Sequence, residues 1–341
     1  DRLEQQDFVA TKRIEGVEQR STVMEGDLVT LGAKLPDLLA EAQPSVYLVI
    51  HRGEEGGETA FGTAFVVGTD ALATNAHIAE HFERLGDGEA LLLRSPVIEG
   101  STSTDIAVTA VSLHPGYGAF AELWKGYVPA RLNAANRLDK VRSAGTACDI
   151  AILHVTPETP LPPALPIAGA PSHAEMAAGQ AIGSIGFPME GMALEGANLK
   201  SPVPQTQIGR ITALTTFFNT SADESTAGPG QRNMLIQHSI PGTGGASGSP
   251  ILNGRGEVVG VLSAVNFAMI DGQRIPTGAG VNFAQRSTLL DELIAGNAAT
   301  MLPDKLAAWE TSVRRLYVSG ELLRDEADLE MLVGLWRKRF I

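Results

Sequence analysis

The chain has 341 residues, 44% of them hydrophobic and 19% charged, which is enough apolar sequence for a sizeable core and, on length, roughly two domains. With 39 acidic residues against 26 basic ones the net charge is -13, and no run of lysine and arginine interrupts that balance, so nucleic acid is excluded as a partner. The single cysteine, Cys148, rules out an internal disulfide, and apolar stretches such as Tyr47 to Ile50 or Ala264 to Ile270 fall well short of the ~18 to 20 residues of a membrane-spanning helix.

The sequence starts at Asp1 with no initiator methionine, and a targeting or anchoring segment is expected upstream, with an extracytoplasmic location, periplasmic or membrane-tethered. A 3-4 spacing then runs through Leu3, Asp7, Ala10, Ile14, Val17, Ser21, Met24, Leu28, Leu31 and Leu35 until Pro36 interrupts it. This is a coiled-coil pattern, and it predicts a helical N-terminal extension over residues 1–43 through which the chain forms a homo-oligomer. Gly16, Gly26 and Gly32 each cost about 1 kcal/mol against alanine in a helix, so an amphipathic helix folded onto the rest of the chain is the alternative.

From Ser45 the texture changes to short β-branched runs separated by Gly, Asn and Pro: SVYLVIH, GTAFVVG, EALLLRS, DIAILHV, AIGSIGF, QIGRITAL, NMLIQHS, EVVGVLS and GAGVNFA. They predict an all-β core, either two Greek-key barrels or a sandwich. Asn253-Gly254 between PIL and EVVGVLS predicts a hairpin, because both residues readily adopt positive φ. SADESTAGPGQ, residues 221–231, reads as a mobile surface loop. After Arg286 helices return: Ser287 is the expected N-cap of one with Leu289, Leu290 and Leu293 on one face. Two more are expected at Asp304 to Val318 and Glu321 to Arg339, with Trp309, Leu316, Leu332 and Trp336 as buried faces.

Three segments within the β region carry chemistry. TNAHIAE presents His77 from a tight turn after a strand, with small residues before it, as suits a base that ionises near neutral pH. CDIAIL opens an apolar run with Asp149, an unusual place for a carboxylate unless it is paired; with His77 it would fix the imidazole tautomer. GGASGSP surrounds Ser247 with glycines that let the amides of Gly245 and Ser247 converge on one oxyanion while the hydroxyl projects. The order His, Asp, Ser makes peptide hydrolysis through an acyl-enzyme the leading reading, with a protein or peptide substrate and no cofactor or metal. The histidines at 51, 81, 114, 154, 173 and 238 lack this setting and read as surface or packing residues. Cys148 beside Asp149 reads as a small buried residue in preference to a redox control. Two competing functions remain. HIAEH matches the H-x-x-E-H zinc pattern, which needs a long helix bearing His77 and His81. A latent protease, or an inactive protease-fold peptide-binding module, would be regulated by a partner at its helical extensions.

Taken together, TNAH, DIAIL and GxSGxP resemble the trypsin/chymotrypsin-fold serine proteases, and among them the disulfide-free bacterial HtrA/Deg group, while Gly-Ser-Pro after Ser247 also resembles the staphylococcal glutamyl endopeptidases. The likeness extends over roughly residues 44–295 and includes SIGFP (184–188), QIGRITAL (207–214) and GAGVNFA (278–284). It implies a chymotrypsin-like pair of antiparallel Greek-key barrels over residues 44–300, with a helical extension at 301–341 in place of a PDZ domain. By the resemblance His77 is the general base, Asp149 its orienter, Ser247 the nucleophile, and the Gly245 and Ser247 amides the oxyanion hole. Ser263, Ala264 and Val265 would lie on the strand that pairs with substrate, and Pro241 at the base of the specificity pocket. Pro241 places no charge there, and Leu262 stands where the glutamyl endopeptidases carry a histidine, so a small or medium apolar residue is expected before the cut. Ala246 precludes the trypsin-like activating ion pair, a hydroxyl at Ser249 should be tolerated, and the spacing of His77 and Asp149 implies an insertion around Gly116 to Ala147.

Overall fold

The computed structural model describes residues 28–98, 100–125, 127–132, 138–140, 147–188, 199–218, 226–228, 230–242, 244–264, 267–270, 273–276 and 282–324. Most of the expected coiled coil, residues 1–27, and most of the expected last helix, residues 325–341, lie outside them. The 3-4 pattern does not run unbroken through Leu28, Leu31 and Leu35. Gly32 adopts φ +72° and turns the chain, a conformation that ends helices because only glycine enters it without strain. Helix α1 (Leu35–Ala42) then starts afresh with Pro36 in its first turn, where a missing N–H costs nothing. Its buried Leu35 and Leu39 lie over Gly183, where any Cβ would meet Leu39 Cδ1 at 2.7 Å.

Strands β1 (Val46–Arg52), β2 (Glu58–Val66), β3 (Ala71–Thr74), β4 (Ala90–Arg94) and β5 (Asp105–Leu113) form most of a first barrel, with the single-turn helix α2 (Ala76–Ala79) after β3. The expected insertion follows: helix α3 (Pro115–Trp124) and strands β6 (Tyr127–Leu132) and β7 (Leu138–Lys140). It leaves the barrel undisturbed, because β8 (Ala151–Val155) returns to pair with both β3 and β5 and closes the order β1-β2-β3-β8-β5-β4. After the short helix α4 (Ala170–Ala174) the second barrel uses β9 (Ala181–Gly186), β10 (Gln205–Thr215), β11 (Leu235–His238), β12 (Pro250–Leu252) and β13 (Val258–Ala264). A hairpin of β14 (Phe267–Ile270) and β15 (Gln273–Pro276) precedes β16 (Asn282–Arg286), and the order is β10-β11-β16-β13-β12-β9. Both sheets close, which decides for barrels over a sandwich.

The period-2 alternation of a strand explains how one run serves two cores. On β1, Tyr47 and Val49 join Val66, Leu72, Leu91 and Leu153 inside the first barrel. Val46, Leu48 and Ile50 point the other way, into an apolar seam shared with Leu35, Phe187, Val261 and Trp309. Ile182, Ile211, Ile236, Ile251 and Val259 fill the second barrel. The β12–β13 hairpin is present, but its positive φ belongs to Gly256; Asn253 acts through its side chain, whose Oδ1 accepts from the amides of Arg255 and Glu257.

Helices α5 (Thr288–Ile294) and α6 (Ala298–Val318) follow the second barrel, and α6 runs across the expected domain boundary at 300. Trp309 is fully buried, with Phe120 of α3 edge-on at 5.1 Å and Phe217 at 5.7 Å. The helix expected from Glu321 is corrected over its described part: Leu322–Arg324 is a strand, β17, paired antiparallel with β6. Leu322 is buried at the edge of the inserted sheet, and Gly320 at φ +79° turns the chain out of α6 to reach it. The C-terminal part of the chain therefore packs on the insertion through both a helix and a strand.

Candidate active site

Strand β3 ends at Thr74, and Asn75 stays extended before the single turn of α2. Ala76, Ile78 and Ala79 face the barrel core, with Ile78 filling the space that Gly62 leaves open, so the intervening His77 is turned outward. Its imidazole is 39% exposed, whereas Asp149 beside it is 1% exposed. The carboxylate accepts from the His77 amide at Oδ1 (3.0 Å) and faces Nδ1 at Oδ2 (2.8 Å), while the Asp149 carbonyl accepts from the Asn75 side chain (2.8 Å). An ionised carboxylate only accepts, so Nδ1 carries the proton and Nε2 is left as the basic nitrogen. Burial pulls the imidazole pKa down, but the hydrogen bond and charge of Asp149, helped by Glu80, outweigh it and hold the pKa above 6.5.

Asp149 reaches this position through a strained residue. Cys148 has φ +54°, the single positive φ among the described non-glycine residues, and the Ile150 amide bonds back to the Cys148 carbonyl at 2.7 Å. The Cys148 side chain is buried, which pushes the thiol pKa up and leaves it unreactive.

Ser247 lies on the turn between β11 and β12. Gly245 and Gly248 have φ +84° and +88°, which lets the chain reverse around the serine. The turn is tied to the second barrel by Gly248 N to Leu262 O (2.8 Å) and Leu262 N to Ser249 O (2.9 Å). It is tied to the first barrel by Thr63 of β2. The Thr63 amide donates to Ser247 O (2.9 Å), and its hydroxyl donates to Gly245 O (2.9 Å) and accepts from Phe187 N (3.1 Å). The Thr63 carbonyl accepts from the Thr74 hydroxyl (2.7 Å), so one buried threonine joins the segment bearing His77 to the turn bearing Ser247. Among the described residues the N–H groups of Gly245 and Ser247 donate to no protein acceptor.

The sequence pattern did not single out Thr63 or the orienting role of Asn75; Gly62-Thr63 inside a strand was the available signal, since glycine there marks close approach of another chain segment. Ser249, expected to be tolerated, is 1% exposed against Gly186, where a Cβ would overlap its hydroxyl. Ser263 is the extra residue of a bulge, because Leu262 pairs with Ala284 and Ala264 with Phe283, and its hydroxyl accepts from Gln285 at 3.3 Å. On its other side β13 pairs with β12 only as far as Val261. Pro241 is exposed, and Val265 lies outside the described residues. The zinc reading of HIAEH is not supported by the local structure. The α2 helix has one turn and ends before His81, whose ring packs on His51 (4.9 Å) and Phe61 (5.0 Å), and no group of three or more candidate ligands could hold a metal among the described residues.

A family model described as a trypsin-like peptidase domain matches residues 62–261. A search of curated protein sequences finds no match. Among solved structures, the crystal structure of Deg5 is similar at 15% identity, covering 76% of this chain and 91% of that chain with a TM-score of 0.45.

Proposed function

The chain belongs to the trypsin-like peptidase family, whose model covers more than half of it, and from that premise we propose that it is a serine endopeptidase working through an acyl-enzyme on His77, Asp149 and Ser247. The observation that carries the reading is the 2.8 Å pairing of the buried Asp149 carboxylate with His77 Nδ1, which leaves Nε2 free as a base. His77 takes the proton of the Ser247 hydroxyl as it attacks the scissile carbonyl, Asp149 stabilises the resulting imidazolium, and His77 returns the proton to the leaving amine. The unpaired amides of Gly245 and Ser247 receive the oxyanion. Substrate backbone adds along the edge of Ser263 and Ala264, continuing toward Val265. Because Pro241 is uncharged and Leu262 of β13 is a buried apolar residue, the residue before the cut is small or medium and apolar.

A fluorophosphonate probe should modify the wild-type chain at Ser247, and Ser247→Ala should remove both labelling and peptide turnover, the latter by about 10⁶ in kcat. Turnover that survives Ser247→Ala sinks the assignment. A wild-type chain that binds peptide but neither labels nor cleaves supports the binding-module reading instead. Mass-spectrometric profiling of the products tests the specificity, and dominant cleavage after Arg, Lys or Glu would exclude an apolar pocket.

A further inference from the structure

Next to the Cys148–Asp149 turn three polar side chains from three separate elements are buried together. Lys305 of α6 is 0% exposed, His114 at the start of α3 is 1% and Glu292 of α5 is 6%. Lys305 Nζ meets Glu292 Oε1 at 2.9 Å, and Glu292 Oε2 meets His114 Nε2 at 3.2 Å. The Gly116 amide donates to His114 Nδ1 at 3.0 Å, so the proton on this ring sits on Nε2 and points at the glutamate.

This chain of contacts reaches the two neighbours of Asp149. The His114 amide holds the Ile150 carbonyl at 3.0 Å, one residue after the aspartate. One residue before it, the Cys148 sulfur lies so close to Gly116 that a Cβ there would meet it at 2.7 Å. Both flanks of Asp149 are thus fixed by the segment that His114 caps. Cys148 needs such support, because a non-glycine residue at φ +54° costs about 1–2 kcal/mol and persists only where its surroundings over-determine it.

Lys305 has no access to water and would cost several kcal/mol if left unpaired, so α6 docks only where Glu292 is in place to receive it. Buried ion pairs add little stability compared with apolar residues of the same volume, and a best-attested use of them is to fix one arrangement over others. Resting on the triad reading above, we propose that Lys305, Glu292 and His114 are positioning residues for Asp149. Docking of α6 then sets the carboxylate against His77, and the C-terminal part of the chain governs whether the base is formed. The same helix is held against the insertion by Trp309 on Phe120, and β17 follows it onto β6, so the element that positions Asp149 is anchored to the segment that leads into it.

The test uses the full chain with Lys305→Met, which keeps side-chain length and removes the charge, and Glu292→Gln, which keeps shape and removes the partner charge. Val313→Ala serves as a control, being buried on the same helix but outside the network. Each is measured for melting temperature, for kcat and KM separately, for the rate at which a fluorophosphonate modifies Ser247, and for the downfield proton resonance of His77 Nδ1. The network variants should lose about 10- to 100-fold in kcat and labelling rate with KM little changed, and should lose the downfield resonance. Val313→Ala should melt lower yet label at the wild-type rate. Should Lys305→Met not fold, Glu292→Gln carries the same comparison. Network variants that label at the wild-type rate with the resonance intact overturn the proposal, as does a Val313→Ala chain slowed to the same degree. A wild-type chain that takes no label overturns the triad reading and the inference with it.

Discussion

A Thr63→Val exchange keeps the shape of the side chain and deletes its hydroxyl, leaving Gly245 O and Phe187 N without the partner they share. An unsatisfied buried polar group costs about 1–3 kcal/mol, and here part of that cost falls on the turn that carries Ser247. The expected outcome is a lower melting temperature together with a kcat reduced by about 10-fold or more, whereas Thr63→Ser, which retains the hydroxyl, recovers kcat. A valine variant with unchanged kcat would remove Thr63 from the positioning of the turn. The pKa of His77 makes a second prediction at this scale. The base must be neutral to act, so kcat/KM should rise with pH through a midpoint above 6.5, and a Ser247→Ala chain followed by NMR should show His77 titrating in the same range. The sign for stability is opposite. A raised imidazole pKa contributes stability that is full below the unfolded value near 6.5 and is lost as pH rises through the folded value. A midpoint at or below 6.5 would mean that the Asp149 interaction does not prevail over burial.

Individual elements were legible where their chemistry was local. The runs of β1, β4, β8, β9 and β13 stand out because each is a short, mostly apolar stretch of strand length between turn residues. Strands β3 and β12, with four and three residues, are too short for a period to show, and β5 carries Asp105, Thr109 and Ser112 on a face that remains partly wet. Strand β17 was hidden for a different reason. Leu322 pairs with Pro129, nearly two hundred positions earlier, and no local pattern reports such a partner. Among the site residues the glycines around Ser247 were readable, but Gly186 was not, because its need for hydrogen in place of Cβ comes from Ser249 on the turn before β12. That contact predicts a coupled pair. Gly186→Ala drives its methyl into the Ser249 hydroxyl and should cost about 1–3 kcal/mol in urea unfolding, and Ser249→Gly in the same chain should restore much of it. Additive losses in the double variant would show that the clash is relieved by some other movement.

Across the whole molecule, the two barrels and the seam they share with the helices that follow are filled by apolar residues, so polar groups buried in this interior are kept neutral or paired. His238 is fully buried in β11, and burial holds its pKa down at about 4. His173, at the end of α4, is likewise down at about 4, through burial first and then the charge of Arg286 at 3.0 Å. In the unfolded chain both would take up protons near 6.5. Their neutral folded state is therefore fully compatible with folding above that value, and stability is lost as pH falls from about 6.5 toward 4, on the order of 3 kcal/mol for each histidine. Asp291 acts in the opposite sense. Burial raises its carboxyl to about 6, so the folded chain gains stability from it as pH falls through the same range. Glu58 enters only later: the hydrogen bonds of Arg94 and Arg52 hold it at about 2, and its contribution is lost as pH drops from the ordinary carboxylate range toward that value. Because histidine and carboxylate contributions overlap, the informative quantity is a difference between chains. His238→Leu removes one depressed histidine without touching Asp291 or Glu58, so its urea midpoint should fall less between pH 7 and pH 5 than that of the wild type. Equal falls in the two chains would show that His238 takes up its proton as readily in the fold as in the unfolded chain, and the second barrel would then have to hold an imidazolium in its wall at pH 5.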